Sequence, residues 1–395
     1  MSSRPPPFFR LAHAPGPDHT LLVSEPILGA DEKAALARVI DSSSITMGDG
    51  VRAFEHAFAE AHGLEDGVAV NSCTAGLHLA IEALGIGSGD EVLVPSLSFV
   101  ATANAVIYAG ATPVFVDVES LQAPVISCED AARRVSPATK AVIVMHYAGY
   151  VVDAAAWRRF ADAHGLLLIE DSAHAVGAAR GNIFGDAAVF SFFGNKNMTT
   201  GEGGMVLSHD PALLRHIRQA RGHGMTTSTL GRLAGQAMYD VTMLGYNYRM
   251  TELNAALGLV QLAKLRLRNA KRRRLSMAYR RLLASTCPAV TMPFVESQRS
   301  SHHILPVLLP PQADRAQVIA ALCSEGIQTS IHYPPVHTLT WYRARNPFTH
   351  LPITEEFAAR ELTLPLHPKM EDWQVGSVTQ ALARALGPNH SGETA

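Results

Sequence analysis

Residues 187 to 206 read Ala-Ala-Val-Phe-Ser-Phe-Phe-Gly-Asn-Lys-Asn-Met-Thr-Thr-Gly-Glu-Gly-Gly-Met-Val, so that a single amine, Lys196, sits in a small polar turn between two apolar runs. A lysine in apolar surroundings tends to lose its proton and become a nucleophile toward carbonyl carbon. The other lysines, Lys33, Lys140, Lys264, Lys271 and Lys369, fall on polar helix faces or element ends and read as solvated. A second group, Glu170-Asp171-Ser172-Ala173-His174, sets a carboxylate and an imidazole at the end of the apolar run Leu166 to Ile169. A charge buried there needs a partner, either a cationic cofactor nitrogen or an arginine. A third group, Asn71-Ser72-Cys73-Thr74-Ala75-Gly76, opens a helix whose free N–H groups could hold an anion such as phosphate; the plainer reading is an N-cap by Ser72 or Thr74.

These groups must be positioned by the elements around them. The flanks Ala187 to Phe190 and Met205 to Val206 are expected as short buried strands, with Gly201, Gly203 and Gly204 permitting a turn or close approach to a ligand. Glu25 to Ala61 is helical in pattern, with Asp31 a plausible cap and Gly48 to Gly50 a break before a second helix from Val51. Strands are then expected at Val68 to Val70, Glu91 to Val94, Pro113 to Val118, Ala141 to Met145 and Leu166 to Ile169. Helices are expected at Thr74 to Leu84, Phe99 to Tyr108 and Ala154 to Ala163. This alternation indicates an α/β fold with a mostly parallel sheet covered on both faces. Ligands of such sheets sit at the carboxyl ends of the strands, where all three groups fall.

Farther on come a helix from Pro211 to Arg221, a Gly- and Thr-rich loop from Gly222 to Gly235, and a helical pattern from Thr251 to about Ala284, long enough to connect two domains and ended by Pro288. The remainder reads as a compact α+β unit, with strands near His303 to Leu309 and Ile327 to His332 and helices near Ala316 to Glu325 and Trp373 to Leu386. The expected division is an amino-terminal arm over 1–24, a large domain over 25–265 and a smaller domain over 266–395.

With 395 residues, 47% hydrophobic, and a net charge of −2, the chain has material for a large core and no electrostatic reason to bind nucleic acid or an acidic membrane. The basic run Lys271 to Arg274 reads as a solvated helix face. Val92 to Val116 is uncharged but broken by Pro95, Asn104, Gly110 and Pro113, so strand, helix, strand is expected rather than a membrane span. Cys73, Cys128, Cys287 and Cys323 show no paired spacing, which argues against disulfides or zinc and fits a reducing cytoplasm.

One cofactor accounts for the three groups together. Pyridoxal 5'-phosphate needs a lysine for its aldehyde, a carboxylate for its pyridine nitrogen and a helix N-terminus for its phosphate.

The same stretches resemble the DegT/DnrJ/EryC1/StrS family, sugar aminotransferases of the aspartate-aminotransferase-like fold (fold type I), and the resemblance runs from Leu28 to about Pro368. It implies that Lys196 is the Schiff-base lysine, that Asp171 pairs with the pyridinium nitrogen and that His174 lies near the ring hydroxyl. Phe99, in Pro-Ser-Leu-Ser-Phe-Val-Ala-Thr-Ala-Asn, would stack on the ring. The phosphate would be held by Cys73, Thr74 and Ser191, and by Asn247 of a neighbouring subunit, from Gly-Tyr-Asn-Tyr-Arg-Met-Thr-Glu-Leu-Asn-Ala-Ala; this implies a homodimer with shared sites. The turn at Met47 and the segment His332-Tyr333-Pro334-Pro335-Val336-His337 would lie on the substrate side; that segment has no metal-ligand spacing. Two departures stand out: Cys73 where the family often has glycine, and Ser44 where it often has tryptophan.

The resemblance thus implies an aminotransferase in which Lys196 is covalent anchor and general acid/base, glutamate or glutamine is the donor, a nucleotide-linked keto-sugar is the acceptor, and the Gly222 to Gly235 loop is a candidate lid. A free ketocyclitol acceptor is the closest rival. The family's sugar dehydratases carry histidine in place of the lysine, and a non-catalytic regulator would be expected to carry an added DNA-binding pattern, which is not seen.

Overall fold

The computed structural model describes residues 20–178, 183–227, 238–295 and 299–387. Its centre is a seven-stranded sheet in the order β1-β7-β6-β5-β4-β2-β3, formed by β1 (Gly67–Val70), β2 (Glu91–Pro95), β3 (Thr112–Val116), β4 (Thr139–Met145), β5 (Leu167–Asp171), β6 (Ala187–Ser191) and β7 (Gly204–Leu207). Only β7 runs against its neighbours, so the sheet is mostly parallel as expected. Because successive side chains alternate between faces, Ile143, Ile169 and Val189 pack under α3 (Cys73–Ala83), α4 (Ala101–Tyr108) and α7 (Pro211–Ala220). Val142, Val144 and Leu168 face the other way, toward Trp157 and Ala161 of α6 (Ala154–His164) and Ala131 of α5 (Cys128–Arg134), a helix the sequence pattern does not announce.

Helices α1 (Ala30–Ser42) and α2 (Asp49–Ala61) lie against α8 (Glu252–Thr286). The expected cap Asp31 is corrected to Gly29, whose N–H is taken by the buried Glu32 carboxylate at 2.8 Å. The start of α2 is closed from a distance: Glu252 accepts from the N–H groups of Gly48, Gly50 and Val51 at 2.7, 2.8 and 2.9 Å. Helix α8, at 35 residues and about 50 Å, carries Ala255 and Leu265 into the core of Phe54, Phe58 and Phe192. Its Leu275, Tyr279 and Leu283 enter a second core.

That second core is built on the antiparallel pair β8 (Leu305–Leu308) and β9 (Glu361–Leu364), with α9 (Arg315–Ser324) and α11 (Asp372–Leu386), whereas α10 (Pro352–Arg360) sends Phe357 into the core of the large sheet. The strand expected at Ile327 to His332 is corrected: β9 takes the place beside β8, and this run makes only single bridges, Leu21 to Ile327 and Ser330 to Thr363. Of the expected arm, residues 1–19 lie outside the described residues, while Val23 O receives Leu366 N–H. Of the Gly222 to Gly235 loop, residues 228–235 lie outside them. Residues 222–227 are bridged to 238–247 through Gly222–Asn247 and Met225–Val241.

Among the described residues no helix is long and apolar enough to cross a membrane; Val92 to Val116 is the expected strand, helix, strand.

Candidate functional site

Strands β6 and β7 pair antiparallel from Ala188–Leu207 to Ser191–Gly204, so residues 192–203 form the loop that joins them, with Lys196 in it. Its backbone N–H bonds Phe193 O at 3.0 Å. Thr200 N–H returns to Phe192 O at 2.9 Å, which closes the loop on itself. Burial pushes the Lys196 ammonium down to about 8, even though buried Asp171 pulls it back toward the charged form. An amine in that condition is free for about a tenth of the time at pH 7, several hundred times the share of an ordinary lysine.

Asp171 is the last residue of β5 and 3% exposed. Its Oδ2 accepts from Thr102 Oγ1 at 2.6 Å and its Oδ1 from Ala173 N–H at 3.1 Å. Thr102 in turn lies 2.6 Å from Ser98 Oγ. Thr102 spends its one proton on the carboxylate, so Ser98 donates to Thr102. Burial pushes Asp171 up, while these two donors and Lys196 pull it down. No arginine or lysine forms an ion pair with it among the described residues. The arginine alternative for its partner is therefore not what is found. Glu170, on the opposite face of β5, is spent structurally on Phe184 N–H, Gly185 N–H and His146 Nε2 at 2.7, 2.8 and 3.0 Å.

His174 is 2% exposed, and burial, with Lys196 and His332 adding to it, holds its ring well below its usual pKa, so it is neutral. Tyr333 OH lies 2.9 Å from its Nε2. Burial pushes that phenol up, so it stays protonated. The other ring nitrogen of His174, Nδ1, is a buried atom with no protein partner among the described residues. Phe99, 56% exposed, stands 5.9 Å from the Tyr333 ring.

The helix start is capped by Ser72, whose Oγ accepts from Ala75 N–H at 3.1 Å, while Gly76 N–H goes to Ser72 O. The cap thus uses the third and fourth N–H groups and leaves those of Cys73 and Thr74. Cys73 is not among the residues with positive φ, so its side chain costs the backbone nothing here. Ser191 lies beside this helix start because Gly204 separates them: it registers with Val70 on one side and Ser191 on the other. A Cβ on Gly204 would stand 2.8 Å from Cys73 N and 2.9 Å from Phe190 O, so glycine there is what lets the helix start come down onto β6.

The described residues fit pyridoxal phosphate on three observations: a buried carboxylate with no ion-pair partner, a buried His174 Nδ1 with no protein partner, and free N–H groups at a helix start next to a serine hydroxyl. Four other sequence candidates lie differently. Asn247 is exposed, and its carbonyl accepts from Asn71 Nδ2 at 3.3 Å. Met47 lines a separate cleft of about 960 Å³ with Arg52, Arg249 and Tyr239, whose described lining includes neither Lys196 nor Asp171. His337 is buried with both ring nitrogens engaged, by Ser96 Oγ at 2.7 Å and Glu355 Oε1 at 3.1 Å, which ties its loop to the end of β2. His332 is engaged by Thr363 Oγ1 through Nδ1 at 2.9 Å and by Glu361 through its N–H at 2.8 Å. Sequence reasoning missed Thr102 and Ser98; four residues apart at a helix start, their hydroxyls were the available signal.

Residues 26–383 match the DegT/DnrJ/EryC1/StrS aminotransferase family. Among solved structures, the aminotransferase TlmJ from Streptoalloteichus hindustanus is 33% identical at a TM-score of 0.85, the match covering 93% of this chain and 99% of that one. DesI, solved in the presence of its TDP-sugar product, is 32% identical at 0.84 over 95% of each chain. Spr1654 from Streptococcus pneumoniae, solved in its PLP form, is 26% identical at 0.83 over 93% and 98%. These neighbours share the fold type I architecture described above. The chain belongs to the DegT/DnrJ/EryC1/StrS aminotransferase family, whose members are pyridoxal-phosphate-dependent enzymes.

Proposed function

We propose that this aminotransferase moves an amino group from glutamate or glutamine to a keto-sugar, with a nucleotide-linked sugar as acceptor. The observation that carries the reading is the convergence of Lys196, Asp171, which has no ion-pair partner among the described residues, and the Cys73–Thr74 helix start at the carboxyl ends of β6, β5 and β1, the last set apart from β6 by β7 alone. DesI is a structural neighbour whose product is a TDP-sugar, which supports the acceptor class.

When bound, pyridoxal phosphate supplies an aldehyde for amine exchange and a protonated ring that accepts carbanion charge. Lys196 Nζ would hold the cofactor covalently and, released by the donor amine, would serve as the base that takes the proton from the donor's α-carbon and the acid that delivers it to the cofactor's carbonyl-derived carbon. Asp171 keeps the ring nitrogen protonated, and Thr102 and Ala173 hold the carboxylate in its charged form. His174 meets the ring hydroxyl through Nδ1 while Tyr333 OH holds its Nε2. Phe99 covers the ring, and Cys73, Thr74 and Ser191 bind the phosphate.

The proposal includes a homodimer in which Asn247 crosses to the neighbour's phosphate. Exposed Phe99, Phe193, Val241 and Leu244 support a covered surface there. Met47, His332 and Tyr333 are placed on the acceptor side; His337 is placed as a support beneath them. The boundary between the large and small domains is placed in α8, between Leu265 and Leu275.

The test is spectroscopic and chemical. The protein with cofactor is expected to show the visible absorbance of the lysine-bound form, and Lys196→Ala to lose it; a retained native band refutes the lysine assignment. A panel of nucleotide keto-sugars and free ketocyclitols, assayed with each donor by product mass, decides the acceptor. Turnover of the ketocyclitols alone would overturn the nucleotide-sugar reading.

A further inference from the structure

His303 follows the loop Ser300–His302 at the entry to the small domain and is 3% exposed. Its ring lies 4.3 Å from that of His174, centroid to centroid, and its Nδ1 lies 3.0 Å from Asn197 Oδ1, the residue next to Lys196. Its backbone is held on both sides: N–H to Ala148 O at 3.0 Å and O from Arg272 at 3.0 Å. The hydrogen bonds of Asn197 determine the direction of this contact. The Asn197 atom 2.8 Å from the Ser301 carbonyl must be the amide nitrogen, because a carbonyl only accepts. The same nitrogen donates to Asn269 Oδ1 at 2.8 Å, and Asn269 is itself oriented by donating to Val176 O at 3.0 Å. The oxygen of Asn197 therefore faces His303, and Nδ1 of His303 must carry the proton.

We infer that His303 is a positioning residue of this site: its Nδ1–H, through Asn197, fixes the backbone from which Lys196 projects, and its ring is the wall against which His174 rests. This rests on the reading of Lys196 given above. Arg272 lies behind it, fully buried and donating to the His302, His303 and Leu366 carbonyls. Among the described residues it has no carboxylate partner. The charged groups around His303 are thus Arg272 on α8 and Lys196 on its loop, with His174 and His332 as neutral rings. Both charges disfavour a second proton, which keeps His303 neutral and its tautomer single.

The experiment uses the protein with bound cofactor. His303→Leu keeps the bulk and removes the donor; kcat is expected to fall about ten-fold, the effect of one buried donor lost, with KM for the donor amino acid within about two-fold. The visible circular dichroism of the lysine-bound cofactor, which reports the angle at which the lysine holds the ring, is expected to change. His303→Asn, which can donate to Asn197 from nearly the same place, is expected to restore both. Parent-like kcat and dichroism in His303→Leu overturn the inference, as does an Asn variant as impaired as the Leu variant. Should His303→Leu fail to fold, the ring nitrogen-15 shifts of His303 in the unmodified protein decide: a proton on Nδ1 is expected, and one on Nε2 overturns it. If Lys196→Ala keeps the visible band, the functional reading itself fails; if it loses the band while His303→Leu changes nothing, only this inference fails.

Discussion

Thr102→Val tests the electrostatics of the site without touching a group that meets substrate. The Thr102 hydroxyl gives its only proton to Asp171 Oδ2 at 2.6 Å, and valine fills the same volume without it. A hydrogen bond to a charged group is worth about 1.5–3 kcal/mol. The Ala173 N–H remains on Oδ1, so a loss near the lower half of that range, about 2 kcal/mol, is the reasoned value. If the charged carboxylate is what holds the cofactor ring, the cofactor dissociation constant rises about thirty-fold. The pH dependence has a definite sign. Burial already pushes Asp171 up, and removing a donor to the charged form pushes it farther, so the acid limb of the activity profile moves to higher pH. Cofactor titration by visible absorbance and a kcat/KM profile against pH measure both effects. A Thr102→Val protein with a dissociation constant within about two-fold of the parent and an unmoved acid limb would refute the assignment of Asp171 as the charged partner.

Gly204→Ala places a methyl 2.8 Å from backbone atoms of Ser72 and Cys73, which cannot swing aside. A stability loss of about 1–3 kcal/mol and weakened cofactor binding are expected, whereas Gly376→Ala, with open space around it, should be neutral or mildly stabilising in thermal melts. Mixing inactive Lys196→Ala with inactive Asn247→Ala subunits should restore part of the activity through hybrid dimers; no rescue despite demonstrated subunit exchange would count against a shared site. Burial alone would raise the Glu32 carboxyl, but Lys264, the Gly29 N–H and Gln261 hold it at about 2 against an ordinary 4.5. A depressed carboxyl stabilises the fold above its unfolded pKa, so this contribution is present above about pH 4.5 and lost as pH falls toward 2. Urea unfolding of Glu32→Gln should show a flatter pH dependence across that window, and an unchanged slope would refute the role.

Much of the chemistry could be read along the chain because it sits in local segments. Lys196, Asp171 and His174 each lie at the end of a short apolar run, and apolar runs between helices can only be strands of a covered, mostly parallel sheet, whose carboxyl ends collect ligands. The alternation of α and β, the long helix and the phosphate-type helix start are likewise local patterns. Other features are joined only in space. The Ile327 to His332 run has the composition of a strand, yet it pairs with β9, about thirty residues away, only at the Ser330 to Thr363 bridge, while the ladder of β9 goes to β8. The cap of α2 comes from Glu252, about two hundred residues downstream, and nothing near Gly48 announces it.

The residue types of this sequence determined by themselves the fold class and the set of reactive groups, since periodicity and burial of apolar runs are properties of neighbouring residues. Only the tertiary structure decided which groups are free to react. It committed Glu170 to Phe184, Gly185 and His146, committed both nitrogens of His337, and left Asp171 without an ion-pair partner and His174 Nδ1 without a protein partner among the described residues. The reason is that hydrogen-bond satisfaction depends on what the chain brings to each buried atom from far away, a quantity no local pattern carries.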